Sequence, residues 1–323
     1  MLRASQRLLR ATRLRTGEVG SRALKPRFAS RGLTVDLILL FNTFNGLITG
    51  AFYALMALGL ALILGLNNTI NFAHGAFMAL AAYFAYTLEP HLGFWGALIV
   101  APLLAGAVGL VVERLLIRRL YGRDPLYTLL LTFGLALIIQ DMIRTIWGAT
   151  GVPLTIPQSL GHPLSQTYFF LTGYRLFVVA VALIGTGALF AILRYTRLGI
   201  RIRAGNADLE TVSAMGVNIY LLRTANFVIG IIFAGIAGIL AAGQLGLDPT
   251  MGDGLLMPAF VAIVVGGVGS LLGSMLGGLL IGAAAGITTS FYPAASEVVI
   301  YLIMALMLIV RPRGLMGQEG LLE

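Results

Sequence analysis

The chain has 323 residues, of which 58% are hydrophobic and only 11% charged; its mean hydropathy is +0.92 and it contains no cysteine. A soluble domain needs more charge to cover its surface, so lipid is the main solvent, and a disulfide framework, cysteine-ligated metal or thiol nucleophile is excluded. The net charge of +9 is concentrated in residues 1–31, where eight Arg and Lys25 stand against Glu18, so the basic excess suits anionic lipid headgroups or topology control rather than nucleic acid.

Residues 1–34 read as a basic tail, disordered or amphipathic, on the cytoplasmic side. A start codon placed too early and an Arg-rich transit peptide are the alternatives. Beyond it, 52 consecutive uncharged residues separate Asp36 from Glu89, and 43 separate Asp253 from Glu297. One helical span needs about 20 apolar residues, so each run is long enough for two crossings. The runs are continuous rather than alternating, and the backbone must satisfy its own hydrogen bonds in hydrocarbon. The expected fold is an all-α integral membrane protein, a multi-span helical bundle of about eight crossings occupying 35–317, with a short tail at 318–323.

Arginine placement orients the spans. Arg114, Arg118, Arg119 and Arg123 form one cluster; Arg194, Arg197, Arg201 and Arg203 a second, with Arg223 closing that segment; Arg311 and Arg313 a third. Segments 148–173, 245–254 and 291–297 hold no Arg or Lys, Arg175 lying just beyond the first. The positive-inside rule makes the clusters cytoplasmic and the bare loops external. In the second half, 125–147 runs out, 174–194 in and 222–244 out; two short crossings in 255–290 follow, and 294–311 returns inward. The first half does not close. With the tail inside and 37–66, 69–88 and 93–117 all crossing, the first arginine cluster would be external. Either the tail is external or one segment is re-entrant or broken. The expected break is 67–88, where Asn67, Asn68, Asn71 and His74 interrupt the apolar run.

Within that interruption, Asn71, His74 and Gly75 are the candidate substrate-pathway residues. Asn71 is expected to cap the next helix through its amide oxygen, leaving N–H groups and a positive dipole end suited to a carboxylate. Plain capping for Asn71 and plain packing for His74 are the competing readings. The charged segment 195–222 includes Ala207, Val212, Ala214 and Met215 as a small apolar face, with Gly216 as a helix stop. It is either a docking helix or an ordinary solvated loop. Small residues recur every four positions at Gly266, Ser270, Ser274, Gly278, Gly282 and Gly286, a device for close helix packing within the bundle or with another subunit. Gly46 and Gly50 read the same way. No Walker A sequence and no His-Glu-x-x-His occurs, no cofactor or metal is implied, and no nucleophile, base and oxyanion site converge into an intramembrane enzyme.

Five motifs in order resemble the permeases of branched-chain amino-acid (LIV-type) ABC importers. They are Gly59 to Gly65 with Ile70-Asn71-Phe72-Ala73-His74-Gly75; Glu113-Arg114-Leu115, with Thr132-Phe133-Gly134 and Trp147-Gly148; Arg203-Ala204 through Gly216-Val217; Gly266-Gly267-Val268-Gly269-Ser270; and Arg311-Pro312-Arg313-Gly314-Leu315. The similarity spans about Phe41 to Gly317. It implies a transport subunit without catalysis of its own, in a bacterial inner membrane. It further implies a second homologous permease, two ABC ATPases and a soluble substrate-binding protein as partners. On the same resemblance 204–216 is the coupling helix, with Arg203, Ala204, Asp208, Glu210 and Gly216 as its ATPase-coupling residues. Similar permeases carry urea or short amides, so the substrate stays open. A channel and an intramembrane enzyme are the rivals from other classes.

Overall fold

The computed structural model describes residues 30–163 and 171–317, with side chains from Asp36 onward. Most of the basic tail and residues 318–323 fall outside that range, so the expectations placed on them are not addressed. From Leu39 the described residues form one compact unit, while the chain up to Ile38 belongs to a separate small one.

The long apolar runs become helices. We number them α1 (Ser30–Leu62), α2 (Ala73–Leu115), α3 (Pro125–Trp147), α4 (Gly173–Tyr195), α5 (Arg197–Ala207), α6 (Leu209–Ala214), α7 (Ile219–Leu245), α8 (Met251–Gly266), α9 (Leu271–Phe291) and α10 (Ser296–Val310). Among the described residues seven helices are long and apolar enough to cross a membrane, and α8 is a shorter apolar one. Local chemistry sets the ends. Asp124 caps α3 by accepting from the Leu126 N–H at 2.8 Å, with Pro125 in the first turn; there the missing proline N–H costs nothing. Asn218 and Ser270 cap α7 and α9 in the same way.

Helix α2 is interrupted at Gly93, whose φ of +66° suits glycine. A Cβ on Gly235 of α7 would meet the Ala81 side chain at 2.9 Å and the Pro102 Cα at 3.1 Å. Residues 21 apart therefore flank one point, so α2 doubles back. Its two arms correspond to the predicted segments 69–88 and 93–117. The expected irregularity is real but shorter, and lies earlier. A π turn at Ile63–Asn67 leads to Asn68 in the left-handed region at φ 51°, and regular helix resumes at Ala73.

The parity conflict now resolves. Asn42 donates to Ser290 Oγ at 3.1 Å, and the Arg175 guanidinium lies 5.9 Å from the Phe41 ring. This end of α1 therefore sits with the arginine-poor loops. The other end, at Asn67, meets Tyr121 and Arg223. The conflict assumed that the chain enters α1 from the arginine-rich end. From Leu39 the described chain starts at the opposite end.

Helix α1 is central, with 83% of its apolar window buried against 6% for Pro293–Val310. It packs on α9 through backbone. A Cβ on Gly46 would lie 2.8 Å from the Gly286 Cα, one on Gly50 2.8 Å from the Gly278 oxygen, and one on Gly282 2.5 Å from the Gly50 nitrogen. The small residues thus close helices within this chain. The predicted row is not one face, however. Gly267 (φ +107°) and Gly269 (φ +84°) break the helix, so Gly266 ends α8 and Ser270 caps α9. Only Ser274, Gly278, Gly282 and Gly286 share a helix.

Candidate functional site

The break between α1 and α2 is held open by side chains from three other segments. Asn67 donates to the Tyr121 hydroxyl at 2.9 Å and to the Arg223 carbonyl at 3.3 Å. Tyr121 donates to one oxygen of Glu113 at 3.0 Å, and Thr224 donates to the other at 2.7 Å. Asn226 donates to the Leu62 carbonyl at 2.6 Å and to Asn67 Oδ1 at 3.2 Å. Arg223 stacks over Tyr121 at 4.5 Å. Glu113 and Asn226 are fully buried, and a buried carboxylate is tolerable only when its oxygens are bonded in this way. Burial, then the Glu113 charge, raise the Tyr121 pKa, keeping its hydroxyl a donor.

On the far side of the break, Thr132 of α3 accepts from the Phe72 N–H at 3.2 Å and donates toward the Ile70 carbonyl at 3.3 Å. This ties the interrupted backbone to α3 and explains Thr132 in its motif. Asn71 is 1% exposed, and neither its amide nitrogen nor its amide oxygen has a hydrogen-bond partner. Its carbonyl accepts from the His74 N–H at 3.3 Å, whereas α2 starts with no side-chain cap. The expected capping by the Asn71 amide is therefore absent: Phe72 occupies the cap position in helical geometry, which moves Asn71 one residue too far out. His74 is fully enclosed, with Nε2 3.2 Å from the Met56 carbonyl and Nδ1 unpartnered. Gly75 is a crossing point, where a Cβ would meet the Gly252 carbonyl of α8 at 2.7 Å.

That crossing brings the first turn of α8 against the first turn of α2 and opens a cavity of about 210 Å³ between α2, α3 and α8. Phe72, Phe133, Leu137 and Met257 supply apolar walls, and Gln140 and Asp253 the polar groups. Phe72 meets Phe133 edge-on at 6.5 Å and tilts on Phe260 at 5.8 Å. Asp253 and Gln140 were not singled out from the sequence, where Asp253 served only as the boundary of an uncharged run.

The predicted coupling segment forms two short helices rather than one. Asp208 stands between them and caps α6, accepting from the Glu210 and Thr211 N–H groups at 3.0 Å each and from the Thr211 hydroxyl. The hydroxyl bond, then the backbone bonds, hold its carboxyl below the usual range. Gly216 ends the segment at φ +83°, as expected. The anticipated apolar face is divided, because Val212 is buried whereas Met215 is 78% exposed. Arg203, Ala204, Asp208 and Glu210 are all exposed. Beneath α5 lies a second cavity, about 300 Å³, reached by Arg194, Arg203, Asn206, Ser270 and Met316. Its residues connect α5 to α1 and to the α8–α9 break.

Residues 42–310 match the family described as branched-chain amino acid transport system / permease component. The high-affinity branched-chain amino acid transport system permease protein LivH of Salmonella typhimurium is 30% identical over 301 residues, covering 87% of this chain and 96% of that protein. BraD of Pseudomonas aeruginosa, with the same description, is 29% identical over 85% of this chain and 94% of its own length. LivM of Escherichia coli is 29% identical over 90% of this chain and 71% of its own. Among solved structures, PsaBC from Streptococcus pneumoniae in complex with Fab aligns at a TM-score of 0.45 and 12% identity, over 83% of this chain and 91% of that one. The chain is a multi-pass membrane protein belonging to the branched-chain amino acid transport permease family.

Proposed function

We propose that this chain is one of two permease subunits of an ATP-driven importer for branched-chain or related amino acids in a bacterial inner membrane. Two ABC ATPases and a soluble binding protein complete the assembly, and the arginine-rich end is cytoplasmic. The observation that carries the importer reading is the α5–α6 pair. It lies between two spanning helices at the arginine-rich end and presents Arg203, Ala204, Asp208 and Glu210 to solvent. A channel needs no such handle. An intramembrane enzyme is disfavoured by His74, which is enclosed and bonded to a backbone carbonyl.

On this reading, closure of the ATPases moves α5 and α6, and the movement biases inward and outward states of the helices around the break. Asn71 lines the pathway: a buried amide with two unpartnered atoms costs about 1–3 kcal/mol unless something visits it. His74 and Gly75 hold the first turn of α2 against α1 and α8. Gly266, Ser270, Ser274, Gly278 and Gly282 act only in packing and capping.

The test is ATP-dependent uptake of radiolabelled leucine into proteoliposomes holding this chain with its companion permease, ATPases and binding protein, with urea as competitor. Leucine uptake undiminished by urea is expected. Urea accumulation without leucine uptake, from an assembled complex, would replace the substrate and keep the architecture.

A further inference from the structure

The cavity between α2, α3 and α8 contains a carboxylate set up to receive a cation. Asp253 lies in the first turn of an otherwise apolar helix, at the end whose dipole favours a carboxylate. Gln140 is 6% exposed and donates through Nε2 to both Asp253 oxygens, at 2.8 and 3.0 Å. One amide against two oxygens fixes the plane of the carboxylate and leaves most of its lone pairs unused. Asp253 itself is exposed and lines the cavity, so those lone pairs are open to a ligand. The remaining cavity wall is apolar, with Phe72, Phe133, Leu137 and Met257 within it. At about 210 Å³ the space is smaller than the roughly 300–1,000 Å³ of drug-sized ligand sites.

A compact ligand with one cationic donor group and a branched apolar tail satisfies both halves of this lining. We propose that Asp253, oriented by Gln140, binds the α-ammonium group of the transported amino acid, with its side chain against Phe72, Phe133, Leu137 and Met257. Deepening the importer reading above, this rests on it for the identity of the ligand. An ammonium carries three N–H donors for the carboxylate. Urea brings N–H donors but neither charge nor tail, so the site prefers amino acids over the small neutral amides. Gln140 is a positioning residue, and Asp253 the group that touches ligand.

The chain has no cysteine, which permits a test independent of transport. Met257→Cys places a single thiol on the cavity wall of the assembled complex. Alkylation by a neutral maleimide is followed on this chain by mass spectrometry, without binding protein, in the presence of leucine, 4-methylpentanoate or urea at equal millimolar concentration. Leucine is expected to slow alkylation by about tenfold. 4-Methylpentanoate, which lacks only the ammonium, and urea are expected not to. Adding Asp253→Asn should abolish protection, and Asp253→Glu should restore part of it. Equal protection by leucine and 4-methylpentanoate, protection that survives Asp253→Asn, or no protection by leucine would each overturn the assignment. Leucine uptake with no thiol protection would sink this site alone, whereas uptake of neither leucine nor urea by an assembled complex would sink the importer reading.

Discussion

The two ends of α1 are held by opposite means. Toward its start, α1 meets α9 through Gly46, Gly50, Gly282 and Gly286, backbone against backbone with no room for a single Cβ. At its other end α1 dissolves into a π turn, and Asn67 is held by Tyr121, Arg223 and Asn226 through side-chain hydrogen bonds. The first contact is all-or-none, because close-packed backbones slide or separate but do not stretch. The second is made of side-chain hydrogen bonds in which Asn67 and Asn226 each reach two acceptors and Thr224 reaches both Glu113 and the Tyr220 carbonyl. A transporter needs both, a fixed seam and an adjustable one, on the same helix.

Filling the glycine seam should break that comparison most severely. Gly282→Leu forces a branched side chain into the Gly50 backbone, and no folded chain is expected by size-exclusion chromatography after detergent extraction. Recovery of a monodisperse protein would mean the seam is looser than the geometry shows. An intermediate effect is expected at the adjustable end. Glu113→Leu leaves Tyr121 without its acceptor, costing about 1–3 kcal/mol, while Thr224 keeps the Tyr220 carbonyl at 2.8 Å. The folded chain should survive with a melting temperature several degrees lower in detergent, while Glu113→Gln, which keeps an acceptor, loses less. Equal melting of both variants and the parent would remove the network from the account of stability.

The smallest effect on the fold is expected from Asp208→Ala, outside both seams. Its carboxylate caps a six-residue helix at the surface, so thermal unfolding should shift only slightly, but ATP-driven uptake should fall by about fivefold or more. The Asp208 pKa is held down in the folded chain. The cap is therefore fully present above the ordinary carboxylate pKa and is lost only as pH falls through the lowered one. Uptake insensitive to Asp208→Ala would reduce the α5–α6 pair to a solvated connection.

Much of this was legible in the residues. Uncharged runs show where helices pass, arginine clusters show which ends lie together, and Asn67 to His74 mark the interruption. What escaped depends on distance along the chain. Glu113 meets Thr224 across 111 residues and Gln140 meets Asp253 across 113, and no local pattern announces such pairs. Glu113 looked like one letter of a motif and Asp253 like the edge of an apolar run. The small-residue row failed for a different reason. A four-residue spacing assumes an unbroken helix, and Gly267 and Gly269 adopt positive φ in the middle of it. The entry side of α1 stayed open in the residues, because the charge of the adjoining tail and the arginines beyond it point in opposite directions.

The last two carbonyls of α8 are taken up by the last described turn of the chain: Leu315 and Met316 donate to the Val265 and Gly266 carbonyls at 2.9 Å each. Gly314, at φ +72°, lets that turn lie against Gly267. A rod of 16 residues, about 24 Å long at 1.5 Å per residue, is therefore clamped at one end and carries Asp253 at the other. Pro258 interrupts its hydrogen bonding near the middle. Mechanically this is a lever with a soft joint: a shift of the clamp at the arginine-rich end is delivered, through one buried helix, to the carboxylate across the bundle.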